Sequence, residues 1–264
     1  MNVAILGFGN LGKSIANGLL KNDQLNRLYA TRKKDDESFE SNNDKRVILS
    51  QDNTEAVINS DIIILTVQPK QFEYLALEIK DYIKQNKVII SPITGISIEE
   101  LENKLGKENK IIRCMTNTAI GVGHAVSCLC SNNAGENDIE IVRGIFDNLG
   151  HTIIIDEKNM QAATVICASG IAFWMRLIRA TAQGGIQLGF ESDQAMEMSM
   201  KTALGAAKLL EKNNSHPEDE IDKVTTPNGC TIEGLIEMEH QGLSSALIKG
   251  LTKSFEKINT MKSE

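Results

Sequence analysis

Six residues near the N-terminus, Gly7-Phe8-Gly9-Asn10-Leu11-Gly12, space three glycines as G-x-G-x-x-G. That spacing suits one piece of chemistry, the cradling of a dinucleotide pyrophosphate. The first glycine allows a tight turn, the second lets the backbone approach the phosphates, and the third lets a helix pack closely on a strand. Amides at the N-terminus of the following helix then face the anion. Glycines recur in many tight turns, so the context decides the reading. Here the motif follows the β-forming run Asn2–Leu6 and opens a helical pattern over 12–21.

A second feature selects among dinucleotides. NAD sites usually end the second strand with an acid, about twenty residues beyond the glycines, which binds the ribose. This chain instead reads LYATRKKD, with Thr31, Arg32 and Lys33 at that place. Two cations there complement a 2′-phosphate, so NADP(H) is expected, with NADPH preferred over NADH. The alternative is that both merely coat a solvated loop.

The elements that position these residues alternate through the first half. Strand-like runs at 2–6, 28–31, 62–67, 88–91, 111–115, 125–130 and 152–155 are separated by helical patterns such as 12–21, 71–82, 97–104 and 137–149. Short apolar strands alternating with helices predict an α/β fold, a Rossmann-type doubly wound parallel sheet. Ser97 and Glu100 form a capping box at one helix start. From Asp156 onward the patterns over 160–188, 192–212 and 231–258 are long and helical with no strand between them. The chain therefore divides into a dinucleotide domain, 1–155, and an all-helical domain, 156–264. The polar run TRKKDDESFESNNDKR reads as a mobile loop. Small residues in TAQGGIQLGF and KTALGAAKLL permit close helix packing, within one chain or across a dimer.

Composition sets bounds on function. A chain of 264 residues with 41% apolar and 24% charged residues is an ordinary globular one. A net charge of −7 argues against nucleic acid or an anionic membrane surface as partner. No run of about 18 apolar residues, the membrane-spanning length, is visible. The first residues enter a strand directly without a signal-peptide pattern, and the five cysteines contain no C-x-x-C pair. A reducing, cytoplasmic setting follows. Cys128 and Cys130 share one face of a strand, but no second ligand pair at zinc spacing follows, so no metal site is expected.

Further blocks complete the picture: VQPKQF, SPITGIS, IIRCMTNTAIGVGHAV, VICASGIAFWMRL and VTTPNGCTIEGLIEMEHQG, in that order. With GFGNLG, they resemble the signature blocks of the pyrroline-5-carboxylate reductase family across nearly the whole chain. The resemblance implies NADPH-dependent reduction of 1-pyrroline-5-carboxylate to proline by a dimer or a larger assembly of dimers. The sequence departs from the family pattern in places. Thr116 and Ala119 stand where proline is usual, Asn228 where glycine is usual, and Gln68 where lysine is common. These departures leave two alternatives open, a reductase of another small cyclic imine or imino acid and a nucleotide-binding paralogue without turnover.

The resemblance also implies roles. Asn53, Val67, Gln68, Pro69 and Asn117 would join the cofactor site with Gly7 to Gly12. Asn228, Gly229, Cys230 and Thr231 would hold the substrate carboxylate at a helix start, and the Thr231 hydroxyl would meet the imine nitrogen. Ser169 would lie beside substrate and nicotinamide. Read from the residues alone, Thr231 is equally a helix cap, Ser169 a small packing residue, and Asn53 and Asn117 holders of their own turns. Trp174, with Phe173 and Met175, reads more readily as core or dimer contact than as a lid.

Overall fold

The structure is a computed structural model that describes residues 1–33 and 44–260. Most of the polar run expected to be a mobile loop lies outside the described residues. Among those described, eight strands form one sheet: β1 (Asn2–Leu6), β2 (Arg27–Thr31), β3 (Val47–Ser50), β4 (Ile62–Leu65), β5 (Val88–Ser91), β6 (Lys110–Met115), β7 (Ala125–Ser131) and β8 (Gly150–Ile154). Their order is β3-β2-β1-β4-β5-β6-β7-β8. The strands from β1 to β6 are all parallel, as a doubly wound fold requires.

The expectation of an all-parallel sheet needs one correction, because β7 runs antiparallel to β6 and carries β8 with it. Residues 116–124, a short 3-10 turn and its flanks, join β6 to β7. A parallel crossover needs a dozen or more residues. Two elements also lay beneath the sequence signal. β3 is four residues long, and α2 (Asn53–Ile58) is too short to display a helical period.

Alternation along the strands shows why both faces are covered. Val3 and Ile5 of β1 join Ile62 and Ile64 of β4 in a core shared with α1 (Asn10–Leu19) and α5 (Ile139–Asp147). Ala4, Leu6, Ile63 and Leu65 point the other way, onto α2, α3 (Pro69–Ile79) and α4 (Ile98–Leu105). Near-continuous apolar strands are the mark of a sheet buried on both sides. At the start of α4 the expected capping box is present. The Ser97 amide donates to Glu100 Oε2 at 2.6 Å, and the Glu100 amide returns to Ser97 Oγ at 3.2 Å.

Beyond β8 the chain is helical: α6 (Met160–Ala163), a π-helical turn (Thr164–Ser169), α7 (Gly170–Gln187), α8 (Ser192–Asn213), α9 (Pro217–Val224), α10 (Cys230–His240) and α11 (Leu243–Thr260). The single helix expected over 231–258 is in fact two. Gly242, at φ +80°, ends α10 in a left-handed conformation that suits glycine. The chain forms two compact units, one of Met1–Ser169 with the C-terminal residues from Phe255, the other of Gly170–Ser254. The strands end at Ile154, where the sequence patterns change. However, Met160, Ala163 and Cys167 still pack on Met115, Cys128 and Cys130, so the first unit extends to Ser169.

The second unit buries very little. Within it only Gly170, Ala182, Ala195 and Ser199 are buried. A β-carbon on Gly185 would lie 3.0 Å from that of Ala195, so some of the small residues serve the contact of α7 with α8 inside the chain. Large apolar side chains, among them Trp174 (65% exposed) and Leu188 (82%), stay in solvent. Within the helix spanning Glu157–Gln187 an 18-residue window reaches a mean hydropathy of 1.4, long and apolar enough by length and composition to cross a membrane, although it holds no unbroken apolar run of that length.

One ion pair anchors the start of this helical run. Arg113 of β6, 4% exposed, donates to Glu157 Oε1 at 2.7 Å, and the same oxygen accepts from the Ile98 amide at 2.7 Å. Glu157→Ala strands both donors. It is expected to lower stability by about 1–3 kcal/mol, read as a lower urea midpoint. Glu140→Ala removes an exposed pair with Arg143 and should cost less than about 0.5 kcal/mol.

Candidate active site

The glycine loop sits at the carboxyl end of β1, where the sheet order reverses between β1 and β4. Such a switch point opens a crevice for ligands. Gly7 has φ +98°, and a β-carbon there would lie 2.7 Å from Val67 Cγ1 and 2.8 Å from the Thr66 carbonyl oxygen. On Gly12 a β-carbon would press within 3.0 Å of the Gly7 carbonyl and 3.1 Å of Ile5. A β-carbon on Gly9 would meet nothing within 4 Å. Two of the three glycines are thus required by packing, and the middle one faces open space.

Hydrogen bonds fix the loop. The amides of Gly7 and Phe8 both donate to the Thr31 carbonyl, at 3.2 and 2.8 Å. Thr66 Oγ1 donates to the carbonyls of Leu6 and Gly7, at 3.2 and 2.9 Å. Gly9 precedes α1, whose first turn has no side-chain cap and no acidic residue. The amides of Asn10, Leu11 and Gly12 therefore keep the unpartnered donors and partial positive charge of a helix start.

A cleft of about 470 Å³ opens beside this loop. Gly7, Phe8, Gly9, Thr31, Arg32, Lys33, Asn53, Val67 and Gln68 line it, all of them expected from sequence. Thr31 Oγ1 donates to Asn53 Oδ1 at 2.6 Å, and Asn53 Nδ2 donates to Glu78 Oε2 at 3.0 Å. Asn53 is thereby held across the cleft while Asp52, not Asn53, caps α2.

Gln51, Thr66, Gln71, Tyr74, Leu75 and Glu78 also line the cleft and were not foreseen. Gln71, Tyr74, Leu75 and Glu78 recur at i, i+3, i+4 and i+7 along α3, so the face of that helix was the missed signal. Pro69 is not among the lining residues; it opens α3 as its first residue. Its ring fixes the helix start that Gln68 and Gln71 cap together.

Asn117 also stands outside the lining of this cleft. Its Oδ1 accepts from the Ala119 amide at 3.0 Å, and its Nδ2 donates to the Cys167 carbonyl at 2.9 Å. It holds its own turn and also ties β6 to the π turn. Ser169 is the last residue of that π turn, half-buried, and its hydroxyl makes no hydrogen bond among the described residues. Thr116, one of the departures from the family pattern, is buried with its hydroxyl 2.9 Å from Ser127 Oγ.

The remaining site residues lie in the second unit. The Gly229 amide donates to the Thr226 carbonyl at 2.9 Å, closing a turn with Pro227 and Asn228 at its centre. Asn228 has φ +57°, as the third position of a type II turn demands. Asparagine tolerates this region better than other residues with a side chain, so it can stand in for the usual glycine. A β-carbon on Gly229 would meet the Thr226 carbonyl at 2.9 Å.

Gly229 occupies the cap position of α10, and Cys230 and Thr231 form its first turn. Thr231 is therefore not the cap. Its exposed hydroxyl has no hydrogen bond among the described residues, beside the open amides of a helix start. A shallow cavity of about 490 Å³ is lined by Thr225, Thr226, Pro227, Asn228, Ile232, Glu233 and Ile236.

Comparison with known proteins identifies this arrangement. Residues 157–261 match the family model for pyrroline-5-carboxylate reductase dimerisation, and residues 2–95 match that for NADP oxidoreductase, coenzyme F420-dependent. Pyrroline-5-carboxylate reductase 1 of Dictyostelium discoideum is 42% identical over 97% of this chain, which spans 49% of that protein. Pyrroline-5-carboxylate reductase 2 of the same organism is 38% identical over 97% of this chain and 91% of its own. The crystal structure of Plasmodium falciparum pyrroline carboxylate reductase with NADP bound superposes with a TM-score of 0.91, at 25% identity, covering 99% of this chain and 98% of that one. By these matches and the glycine loop and α10 turn described above, the chain belongs to the pyrroline-5-carboxylate reductase family.

Proposed function

We propose that this protein reduces 1-pyrroline-5-carboxylate to L-proline with NADPH. The observation that carries the reading is, in a member of this family, the glycine loop whose open helix-start amides stand beside the cleft at the carboxyl end of β1.

The first unit fits a dinucleotide. The open face of Gly9 leaves room for a pyrophosphate, and the amides of Asn10 to Gly12 supply donors toward it. Arg32 and Lys33, which line the cleft, complement a 2′-phosphate. When bound, NADPH supplies the hydride. Thr31, Asn53 and Gln68 hold the ribose end in place, and Phe8 and Val67 shield the cleft floor from water.

Reduction of a cyclic imine also needs a proton at nitrogen and an anchor for the carboxylate. The amides of Cys230 and Thr231, with Asn228 and Gly229 shaping the turn, suit the carboxylate. The Thr231 hydroxyl donates toward the nitrogen, and Ser169, in the first unit, is a further polar group that we assign to the substrate. We also assign the exposed apolar surface of the helical unit to a homodimer, or a larger assembly built from dimers, because that unit has too little buried surface to hold itself together. The five unpaired thiols suit a reducing, cytoplasmic compartment.

Three measurements test this reading. Steady-state oxidation should run at least tenfold more efficiently with NADPH than with NADH, since a charge-assisted phosphate contact is worth about 1.5–3 kcal/mol. Arg32→Ala should raise KM for NADPH alone, and equal use of both cofactors would overturn the preference. Thr231→Ala should lower turnover on pyrroline-5-carboxylate at least tenfold, because positioned proton donation contributes roughly 10²–10⁴. Thr231→Ser should keep most of it. The melting temperature should barely move in either variant, since Gly229 is the cap; normal turnover in the alanine variant would remove Thr231 from the mechanism. Light scattering at micromolar concentration should give at least twice the 29.0 kDa chain mass, and a fully active monomer would exclude the dimer.

A further inference from the structure

We propose that Cys128 and Cys167 are a peroxide-responsive dithiol that closes as an intrachain disulfide and fastens the π turn to β7. Cys128 lies in β7 and Cys167 in the π turn, and their sulfurs are 3.9 Å apart. A disulfide requires about 2.05 Å, a gap that side-chain rotation and a small shift of one turn close. The π turn is a local irregularity inserted into the regular helix, and the proposal places the shift there. The pair sits in an apolar cluster with Ile98, Met115, Cys130 and Met160.

The two thiols differ in the way a reactive pair must. Cys128 is 4% exposed, whereas Cys167 is half-buried and reachable. The Cys128 thiol can donate a hydrogen bond to the Cys167 sulfur, which brings the Cys167 pKa down to about 7, while the same contact and burial push Cys128 up. Burial raises Cys130 to about 12. Cys167 is therefore the attacking thiolate. It displaces hydroxide from hydrogen peroxide to form a sulfenic acid, and the Cys128 sulfur then attacks Cys167, releasing water. Two thiols lose two electrons, and one peroxide becomes two waters. The bond would pull on the Cys167 carbonyl that Asn117 holds and on Ser169 two residues later. The thiol chemistry itself does not rest on the catalytic reading.

The test uses the full chain. After a few equivalents of hydrogen peroxide, the thiol count under denaturing conditions should fall from five to three, and dithiothreitol should restore five. Peptide mapping should join Cys128 to Cys167. Cys167→Ser should retain both thiol reactivity and count at the other positions, Cys128→Ser should accumulate a dimedone-reactive sulfenic acid on Cys167, and Cys130→Ser should behave as the unaltered protein. Alkylation of Cys167 should rise with pH around a midpoint near 7, and that midpoint should move upward in Cys128→Ser. Five surviving thiols, or a disulfide joining two chains through the exposed Cys230, would overturn the proposal. The measurement on the unaltered protein decides it even where a variant fails to fold.

Discussion

A single carbonyl oxygen, that of Thr31, accepts from the amides of both Gly7 and Phe8, and much of the dinucleotide unit follows from that contact. It pins the glycine loop to the end of β2, so the loop cannot swing away from the neighbouring strand. With the Thr66 hydroxyl bonded to the carbonyls of Leu6 and Gly7 from the β4 side, the loop is held from both flanking strands. The direction of α1 is then fixed, and its amides point across the switch point. No side chain needs to contact the phosphates for this site to favour an anion, because backbone geometry already does so.

The cations that line the cleft work on a different principle. Thr31 and Asn53 are locked to each other and to Glu78, giving a rigid polar wall. Arg32 and Lys33 are exposed and add positive charge to the cleft lining. Glu78 enters this region from α3, a helix whose contribution is visible only once its face is laid against the strand ends.

The helical unit obeys another constraint. A helix bundle holds together by burying an apolar stripe, yet here four small residues of one unit are buried while Trp174, Leu188 and Ile236 remain in solvent. A surface of that kind requires a partner, and the match of residues 157–261 to a dimerisation family model gives the same reading from an independent direction. The substitution of asparagine for glycine at residue 228 is similarly explained by physics, since the turn needs a positive φ there and asparagine can supply it.

The sequence by itself determined the local features. The glycine spacing, the apolar strands, the capping box at Ser97 and Glu100, and the cations after β2 each depend on residues close in the chain, so their patterns can be read along it. Tertiary structure alone decided the rest. Reversal of β7 follows from a connection too short to cross over, Gly242 turned one expected helix into two, and α3 brought Tyr74 and Glu78 to the cleft. It also decided that Gly229, not Thr231, caps α10, that Asn117 serves the π turn, and that Cys128 meets Cys167 across 39 residues. Such contacts are fixed by packing between segments distant in the chain, and no window of neighbouring residues carries that information.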